Sequence, residues 1–473
     1  MIDNELAPLV PTGPSTSPPQ RRAWGVTALL VAFMVVNFAD KSVLGLAADP
    51  IRHDLGLSAT DFGLANSAFF LLFSLSGGAM GLLADRLRPR RLLLVLAAVW
   101  SASQLPMALG AGFTLLVASR IVLGAAEGPA FPIAQHTAFT WFPDRRRNLP
   151  GALISMGTTL GVVVAAPTLT WVVGHHGWRS AFGTVAVAGV LWAVLWSCFG
   201  REGALPATGT GTATGTATAT VPGAPPKAGP EAASEADALS QAPVVVSYRR
   251  ILGTRTWIGI TAAYFSTYWA AALTLVWLPS YLHDGLGYPS ASAAGVIALV
   301  WAATGCVMLA QAGVTGRLLR RGVPSRWARA GVGGVALLVA ALGCLGLSGA
   351  HRGPVAVALL VAGFGLAGVM VNISVTTVAE FVPAGRRAGA LGLTSAVATT
   401  AGLIAPTLTG ALVDMQGVAG YRHAVLLTGV LLLLGGLAAL LLVDPARDAF
   451  RLRTRSSREQ AVGVRRCRAA ARR

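Results

Sequence analysis

Charged residues are scarce in this sequence. Asp, Glu, Lys and Arg make up 12% of the 473 residues, whereas 54% of the residues are hydrophobic and the mean hydropathy is +0.63. Soluble globular domains carry about 25% charged residues, so the composition excludes an ordinary soluble domain. The hydrophobic residues also recur in runs long enough to cross a bilayer. The sequence therefore indicates a membrane protein with many spans, surrounded by the lipid bilayer.

Acidic residues are the rarer of the two charged types. The chain has 19 acidic and 37 basic residues, which gives a net charge of +18. In a soluble protein such an excess would favour binding to nucleic acid. Here the basic residues lie in the tails and in the loops between apolar runs, a distribution typical of membrane proteins. We therefore expect no nucleic-acid partner.

Groups that could perform catalysis or bind metal are also few. The four cysteines have no spacing typical of a disulfide framework or a zinc site, and the seven histidines are dispersed. No HExxH, nucleophile-elbow or Walker sequence occurs. A membrane-embedded enzyme would need acids, histidines or metal ligands clustered at one interface. We therefore expect a protein that is not an enzyme, with no catalytic residues, no metal and no cofactor.

Twelve apolar stretches are each long enough to form a transmembrane helix. They fall into two groups of six, separated by a low-complexity segment rich in Thr, Ala, Gly and Pro that is typical of a flexible linker. A short basic amphipathic helix is expected at 247–254. The predicted spans are 24–46, 62–84, 92–111, 113–135, 149–173, 178–199, 256–283, 291–315, 328–348, 354–378, 387–412 and 422–443. The predicted regions are a disordered N-terminal tail at 1–22, a first bundle at 23–200, a linker at 201–250, a second bundle at 251–444 and a basic tail at 445–473.

Arginine clusters indicate the orientation of the chain. They fill one alternating set of loops, and both tails and the linker fall on the same side. The positive-inside rule places that side in the cytoplasm, so both termini are expected there, with the protein in the cell membrane.

Short sequence repeats relate the two halves. APTLT occurs in span five and again in span eleven, GAL precedes each copy, and GWRSAF and GYRHAV follow them. We therefore predict an all-α membrane protein, with twelve transmembrane helices in two pseudo-symmetric six-helix bundles. Many secondary transporters have this architecture.

Two of the predicted spans contain charged residues, which are costly inside a membrane and therefore indicate function. In span four, Arg120 and Glu127 lie on nearly one face of a helix, roughly 10 Å apart along its axis, a gap that suits an intervening substrate or helix. In span one, Asp40 and Lys41 point about 100° apart, whereas Asn37 shares the face of Lys41. The alternatives are a structural pair in span four and a boundary pair in span one whose side chains reach the interface.

The segment between spans two and three, Gly81 to Arg91, reads GLLADRLRPRR. It resembles the loop signature of the major facilitator superfamily, in which Gly-x-Leu-Ala-Asp-Arg is followed by basic residues. The resemblance implies that Asp85 bonds to a neighbouring helix end and that the arginines latch a conformational gate. The family usually has glycine where Arg88 stands. The candidate gating residues are Gly81, Asp85, Arg86 and Arg90.

NFADKSVLGLAADP in span one and RIVLGAAEGPAFP in span four narrow the resemblance. They resemble the anion:cation symporter branch of the superfamily, which includes organic-anion:proton symporters for sugar acids and aromatic acids. The resemblance implies a small organic anion and protons as partners. The branch usually has arginine where Lys41 stands. Lysine is a point charge, whereas arginine clamps a carboxylate through two hydrogen bonds, so the substrates of arginine-bearing relatives cannot be transferred directly.

We hypothesise that Lys41 faces the central cavity and anchors the anion, and that Glu127 is the proton-coupling carboxyl. Asp40 is the competing proton carrier and is expected to face an adjacent helix. The alternative role of Tyr268 is packing, and that of Asn372 is a bond between helices. The candidate substrate-binding residues are Lys41, Asn37, Arg120, Tyr268, Asn372 and Ser395.

The predicted function is proton-coupled symport of a small organic carboxylate across the cytoplasmic membrane by alternating access, performed by a monomer. The paired charges favour an anion site but leave the direction of transport open. The alternative is therefore a proton-coupled efflux carrier for a drug-like molecule or a secondary metabolite.

Overall fold

A computed structural model describes residues 20–83, 88–110, 112–143, 146–203, 246–452 and 454, and within these ranges the chain forms helices and no strand. We number the long helices in chain order. They are α1 (Gln20–Leu46), α2 (Ala59–Leu83), α3 (Pro89–Ala108), α4 (Phe113–Phe139), α5 (Asn148–His176), α6 (Trp178–Phe199), α7 (Arg255–Val276), α8 (Ser290–Arg320), α9 (Arg326–Gly349), α10 (Pro354–Phe381), α11 (Ala384–Gln416) and α12 (Val418–Leu442).

The number of membrane-crossing helices agrees with the sequence. Within the described residues, eleven helices are long and apolar enough to cross a membrane. A twelfth span is counted when the short helix Ala48–Leu55 is taken together with α2, from which it is bent by 116°. The apolar runs therefore predict the helices well, because each run satisfies the backbone hydrogen bonds of one spanning segment internally.

Several helix ends differ from the expected ones. α1 begins at Gln20, inside the predicted tail, directly after two prolines. The predicted span 256–283 is interrupted, since α7 ends at Val276 and a short helix, Leu278–Ser280, leads into a single π turn at Tyr281–Gly285. Pro279 explains the break, because it has no N–H to donate to the preceding turn. A short helix, Tyr248–Leu252, forms where the basic amphipathic helix is predicted.

Glycines allow close packing of helices within each half. A Cβ atom at Gly157 of α5 would lie 2.8 Å from the carbonyl oxygen of Val31 in α1. A Cβ atom at Gly161 would lie 2.6 Å from the carbonyl oxygen of Val35 in the same helix. Small residues at helix interfaces are the usual means by which membrane helices approach closely. α1 is therefore held firmly against α5, and this contact fixes the helix that carries Asp40 and Lys41.

The molecule has two faces, which we call terminal and opposite. The terminal face contains the first residues of α1 and the last residues of α12, and the opposite face contains the connection from α1 to α2. At the opposite face the two halves touch, because Asp414 of α11 accepts hydrogen bonds from the backbone N–H groups of Ala59 (2.8 Å) and Thr60 (2.7 Å) of α2. At the terminal face a cavity of about 540 Å³ separates α4 and α5 from α8 and α10.

Candidate functional site

Lys41 and Glu127 form a buried ion pair between α1 and α4. The Lys41 Nζ lies 3.0 Å from Glu127 Oε2, and the exposed fractions of the two side chains are 10% and 0%. Lys41 also donates a hydrogen bond of 2.7 Å to Asn37 Oδ1, one helical turn earlier. Asn37 and Lys41 therefore share one face of α1, as their spacing predicts, and Lys41 links that face to the carboxylate of α4.

Asp40 and Arg120 are joined through a third residue, Gln104 of α3. The Gln104 Nε2 donates a short hydrogen bond to Asp40 Oδ1, and Arg120 Nη2 donates one of 3.1 Å to Gln104 Oε1. All three side chains are buried, with exposed fractions of 1 to 3%. Asp40 therefore faces a neighbouring helix, and the arginine reaches it through an uncharged amide.

Aromatic rings surround the cations of this cluster. Lys41 Nζ lies 4.4 Å from the ring centre of Phe38 and 5.2 Å from that of Phe73, and the guanidinium of Arg120 lies 5.5 Å from the ring of Phe182. Ring faces attract cations while excluding water, so they lower the cost of burying Lys41 and Arg120 without neutralising them. The rings therefore leave the positive charge of both side chains in place.

Several polar atoms of the cluster have no hydrogen-bond partner among the described residues. They are Asn37 Nδ2, Asp40 Oδ2, Arg120 Nε and Glu127 Oε1. A buried polar atom without a partner costs about 1 to 3 kcal/mol, so a set of four in one place indicates that a ligand or a proton completes them in another state.

The cavity on the terminal face has a mixed lining, to which no residue of this cluster contributes. Its polar groups come from Gln135 of α4, Ser155 and Thr159 of α5, and Asn372 of α10, together with Arg147 at the start of α5. Of the predicted substrate-binding residues, Asn372 lines the cavity, whereas Lys41, Asn37 and Arg120 belong to the buried cluster. A polar wall of amides and hydroxyls suits a hydroxylated molecule.

Tyr268 and Ser395 lie elsewhere in the second half. The ring of Tyr268 contacts that of Tyr264 edge-on, with ring centres 5.1 Å apart. Tyr264 in turn lies against Ser395 of α11. The structure therefore places these two candidates in one tyrosine-centred group on α7 and α11, separate from the charged cluster on α1 and α4.

The predicted gating residues are only partly described. Gly81 lies in the last turn of α2, and Asp85 and Arg86 lie outside the described residues. The Arg90 guanidinium donates a hydrogen bond of 2.8 Å to the carbonyl oxygen of Ser197, and its backbone N–H donates one of 2.7 Å to Glu202 Oε1. Arg90 therefore joins α3 to the end of α6, within the first half.

Gln104 is the functional candidate that sequence reasoning missed. It lies in span three, the segment predicted at 92–111, where it is a lone amide among apolar residues and small serines. An uncharged residue inside an apolar run is a weaker signal than a charged one, and nothing in its own segment shows that it meets Asp40 and Arg120.

Within the described residues, eleven membrane-crossing helices, a twelfth bent span, a buried charge cluster and a cavity between the halves are together typical of a membrane transporter. The family model described as Major Facilitator Superfamily matches residues 29–384, and the chain belongs to that superfamily. It is therefore a transporter of the major facilitator type and not an enzyme.

The chain is similar to transporters of organic acids. It is 29% identical to the hexuronate transporter of Bacillus subtilis over 428 residues, which cover 87% of this chain and 92% of that one. It is 29% identical to a probable L-galactonate transporter of Escherichia coli over 301 residues, 63% of each chain. These relatives agree with the resemblance to the anion:cation symporter branch.

A solved structure also resembles the fold. A bacterial homologue of the human lysosomal transporter Spinster, in an inward-facing and unoccupied conformation, superposes with a TM-score of 0.68 at 18% identity, covering 92% of this chain and 99% of that one. At this identity the similarity shows the fold alone.

Proposed function

We propose that this protein is a proton-coupled symporter that moves a small organic carboxylate across the cytoplasmic membrane by alternating access. The observation that carries this proposal is the charge balance of the buried cluster. Lys41 and Arg120 supply two positive charges, Asp40 and Glu127 supply two negative charges, and all four side chains are nearly inaccessible to solvent.

A balanced buried cluster resists the addition of a single charge. An uncompensated ion in such surroundings costs several kcal/mol, so a carboxylate that entered alone would leave one negative charge in excess. A carboxylate that enters with one proton leaves the cluster neutral. The balance therefore supports binding of anion and proton together, which is the thermodynamic basis of symport.

The ion pair between Lys41 and Glu127 indicates how the two events are joined. While Glu127 is ionised, it occupies the ammonium that the anion needs. Protonation of Glu127 releases Lys41, and the incoming carboxylate takes its place. Departure of the proton allows Glu127 to reclaim Lys41 and displace the anion. Asp40, next to the same carboxyl, is the competing carrier of the proton.

The substrate class follows from the two parts of the site. Lys41 and Arg120 supply cations for one carboxylate, and the amides and hydroxyls of the cavity suit hydroxyl groups on the rest of the molecule. The similarity to hexuronate and L-galactonate transporters supports a hydroxylated carboxylic acid. Lysine in the place of arginine makes the carboxylate contact less directional, so a different preference among such acids is expected.

The arrangement of the two faces supports alternating access. The halves separate at the terminal face and meet at the opposite face. The positive-inside rule assigns the terminal face to the cytoplasm, because the arginine-rich loops lie there. The described conformation is then open to the cytoplasm, like the inward-facing structure that it resembles.

The proposal is tested with purified protein in liposomes and radiolabelled D-glucuronate and L-galactonate as probes. An outside pH below the inside pH should drive accumulation of a probe above equilibrium, and a protonophore should abolish it. Glu127→Gln should retain exchange of labelled for unlabelled probe but lose accumulation, whereas Glu380→Gln, on the terminal face, serves as the matched control. The proposal would be overturned if accumulation of the probes did not depend on the pH gradient, or if the proton gradient drove only export of the probes.

A further inference from the structure

Gln104 occupies the place where a direct ion pair between Arg120 and Asp40 would otherwise form. Its amide accepts from Arg120 on one side and donates to Asp40 on the other. Among the described residues, Lys41 and Glu127 form an ion pair within 4 Å, whereas Arg120 and Asp40 are linked only through Gln104. The cluster therefore contains two cation–carboxylate pairs of different kinds, one direct and one separated by a neutral side chain.

The chemistry of the partners fixes the orientation of this amide. Arginine has only donors, so the group that faces Arg120 must be Oε1. The Nε2 group then faces Asp40 and can only donate, so Asp40 Oδ1 must accept. A proton on Asp40 is thereby directed to Oδ2, the oxygen that has no partner among the described residues and lies near Glu127.

A direct pair would have two consequences that the amide prevents. Arginine and carboxylate form strong, paired hydrogen bonds in a buried site, which would occupy the guanidinium that an anion needs. The adjacent positive charge would also keep the carboxyl ionised and so oppose proton binding. The amide of Gln104 holds both groups in position through single hydrogen bonds. Because it is uncharged, it neither occupies the whole guanidinium nor keeps the carboxyl ionised as strongly as a direct arginine contact would.

We propose that Gln104 is a positioning residue that keeps Arg120 and Asp40 apart, so that Arg120 stays available to the anion and Asp40 stays able to take up a proton. The functional meaning of this inference rests on the proposed symport. The hydrogen bonds from which it is argued are those of the protein without substrate. Asp40 is faced by Gln104 from α3, by Arg120 and Glu127 from α4, and by its neighbour Lys41. Replacement of Gln104 changes one of these contacts and leaves the ion pair of Lys41 intact.

Two substitutions of Gln104 separate this role from that of a simple hydrogen-bond donor. Gln104→Ala leaves room for Arg120 to approach Asp40, so the carboxyl should become harder to protonate. Gln104→Met keeps the length of the side chain and blocks that approach, but it removes the bond that stabilises the ionised form, so the carboxyl should become easier to protonate. A mere donor would give the same direction of change with both substitutions.

The experiment is an infrared pH titration of the purified full-length protein in lipid, without substrate. The carboxyl C=O band that disappears in Asp40→Asn reports on Asp40. We expect its midpoint to move to lower pH in Gln104→Ala and to higher pH in Gln104→Met. Gln311→Ala, which removes a buried glutamine bonded to Thr315 of its own helix, should leave the midpoint in place.

Movement in the same direction for both variants, or no movement in either, overturns the proposal. Gln104→Ser replaces the alanine variant if that one does not fold. The methionine variant conserves volume, and a midpoint that stays or falls in this variant alone contradicts the proposal. A rise supports the proposal only together with a fall in the alanine or serine variant. Since no substrate is present, this result is independent of whether the liposome experiment finds symport.

Discussion

The two faces of this transporter are built differently. At the opposite face, the halves are joined by specific contacts: Asp414 caps the start of α2, and Ser280 donates a hydrogen bond of 3.0 Å to Asp49. At the terminal face, the halves are separated by a cavity of about 540 Å³ with polar and apolar walls. The two halves are thus joined by direct contacts at the opposite face, whereas at the terminal face a cavity lies between them.

The difference indicates which contacts would have to change under the proposed alternating access. The contacts of the opposite face include hydrogen bonds, close approaches at glycines and the buried ring pair of Phe62 and Trp277, and a single hydrogen bond among them is worth about 1 kcal/mol. A few such contacts can be broken and remade within a cycle, whereas the apolar packing of α1 on α5 lies within one half and stays. The seam at the opposite face is therefore the part of the structure that should decide between the two open states.

The largest effect is expected from a side chain placed in this seam. A Cβ atom at Gly45 of α1 would collide with the carbonyl oxygen of Leu275 in α7, and these two backbones belong to different halves. Gly45→Ala should cost this conformation about 1 to 3 kcal/mol and shift the protein by roughly 5- to 150-fold toward the state open at the opposite face. Gly25→Ala is the matched control, because nothing lies within 4 Å of a Cβ atom there.

The shift is measured by maleimide labelling in a background without the native cysteines. Ser155→Cys reports on the terminal cavity, and Ser67→Cys, buried beside Thr407 at the seam, reports on opening of the opposite face. Labelling at Ser155→Cys should fall and labelling at Ser67→Cys should rise with Gly45→Ala. Unchanged labelling at both positions would show that the seam does not control the equilibrium.

A smaller shift in the same direction is expected when the cap of α2 is removed. The Asp414 carboxylate accepts from two backbone N–H groups and from the Thr60 hydroxyl at 2.6 Å, so it neutralises the positive end of a helix in the other half. Asp414→Asn should weaken the seam by about 1 kcal/mol. Asp61→Asn is the control, because Asp61 bonds Ser58 within the same helix end and never crosses the seam. An equal effect of both substitutions would mean that the cap stabilises α2 alone.

The pH on the opposite side should modulate the seam more weakly. Burial raises the pKa of Asp49, and the charge of Asp284 adds to this. The hydrogen bond that His283 donates to Asp284 raises the pKa of His283, whose Nδ1 lies 3.9 Å from Asp49. A group whose pKa is raised in the closed arrangement favours closure below its ordinary pKa, and this contribution is lost as the pH rises through the raised value. Both groups therefore favour a closed opposite face at low pH, and closure should weaken above the ordinary values of about 4 for Asp and about 6.5 for His.

The effect is small because the His283–Asp284 contact lies within one half and survives opening. Only the contact between His283 and Asp49 is lost on opening. Arg52, Asp284 and Tyr421 lie close to the same group and also contribute to its electrostatics. Labelling of Ser67→Cys should increase with pH on that side, and His283→Ala should flatten the curve, whereas His351→Ala, on the same face, should not. A decrease in labelling with rising pH would contradict the expected sign.

The fold could be read from the sequence because each span is a long apolar run with internal hydrogen bonds. The breaks could not. Pro279 indicates one, but the short helix Ala48–Leu55 lies against α2 and against the segment Leu278–Ser280, which is distant in the sequence. The charged residues of the site were visible because charge is so rare in these spans. The partners of these residues could not be predicted. Lys41 forms its ion pair with Glu127, and Gln104 its hydrogen bond with Asp40, between helices that are far apart in the chain.

The state of the transporter was also beyond the sequence. Under the proposed alternating access, the same helices would serve both open states, so no residue pattern shows which face is closed in the empty protein. The sequence also gives no signal for the roles of Asp414 and Asp49, because their partners in the other half are separated from them by more than two hundred residues.

The smallest effect is expected from an ion pair on the terminal face. Arg329 Nη1 lies 2.6 Å from Glu380 Oε2 and joins α9 to α10 within the second half. Both helices belong to the same half, so in the proposed rocking of the halves they would move together and the pair would be present in either state. A partly exposed pair of this kind is worth about 0 to 1 kcal/mol. Glu380→Gln should lower Tm by at most a few degrees and leave the ratio of labelling at Ser155→Cys and Ser67→Cys unchanged. A change in that ratio as large as the one caused by Asp414→Asn would show that contacts within a half also set the equilibrium, and the opposite-face seam would lose its special role.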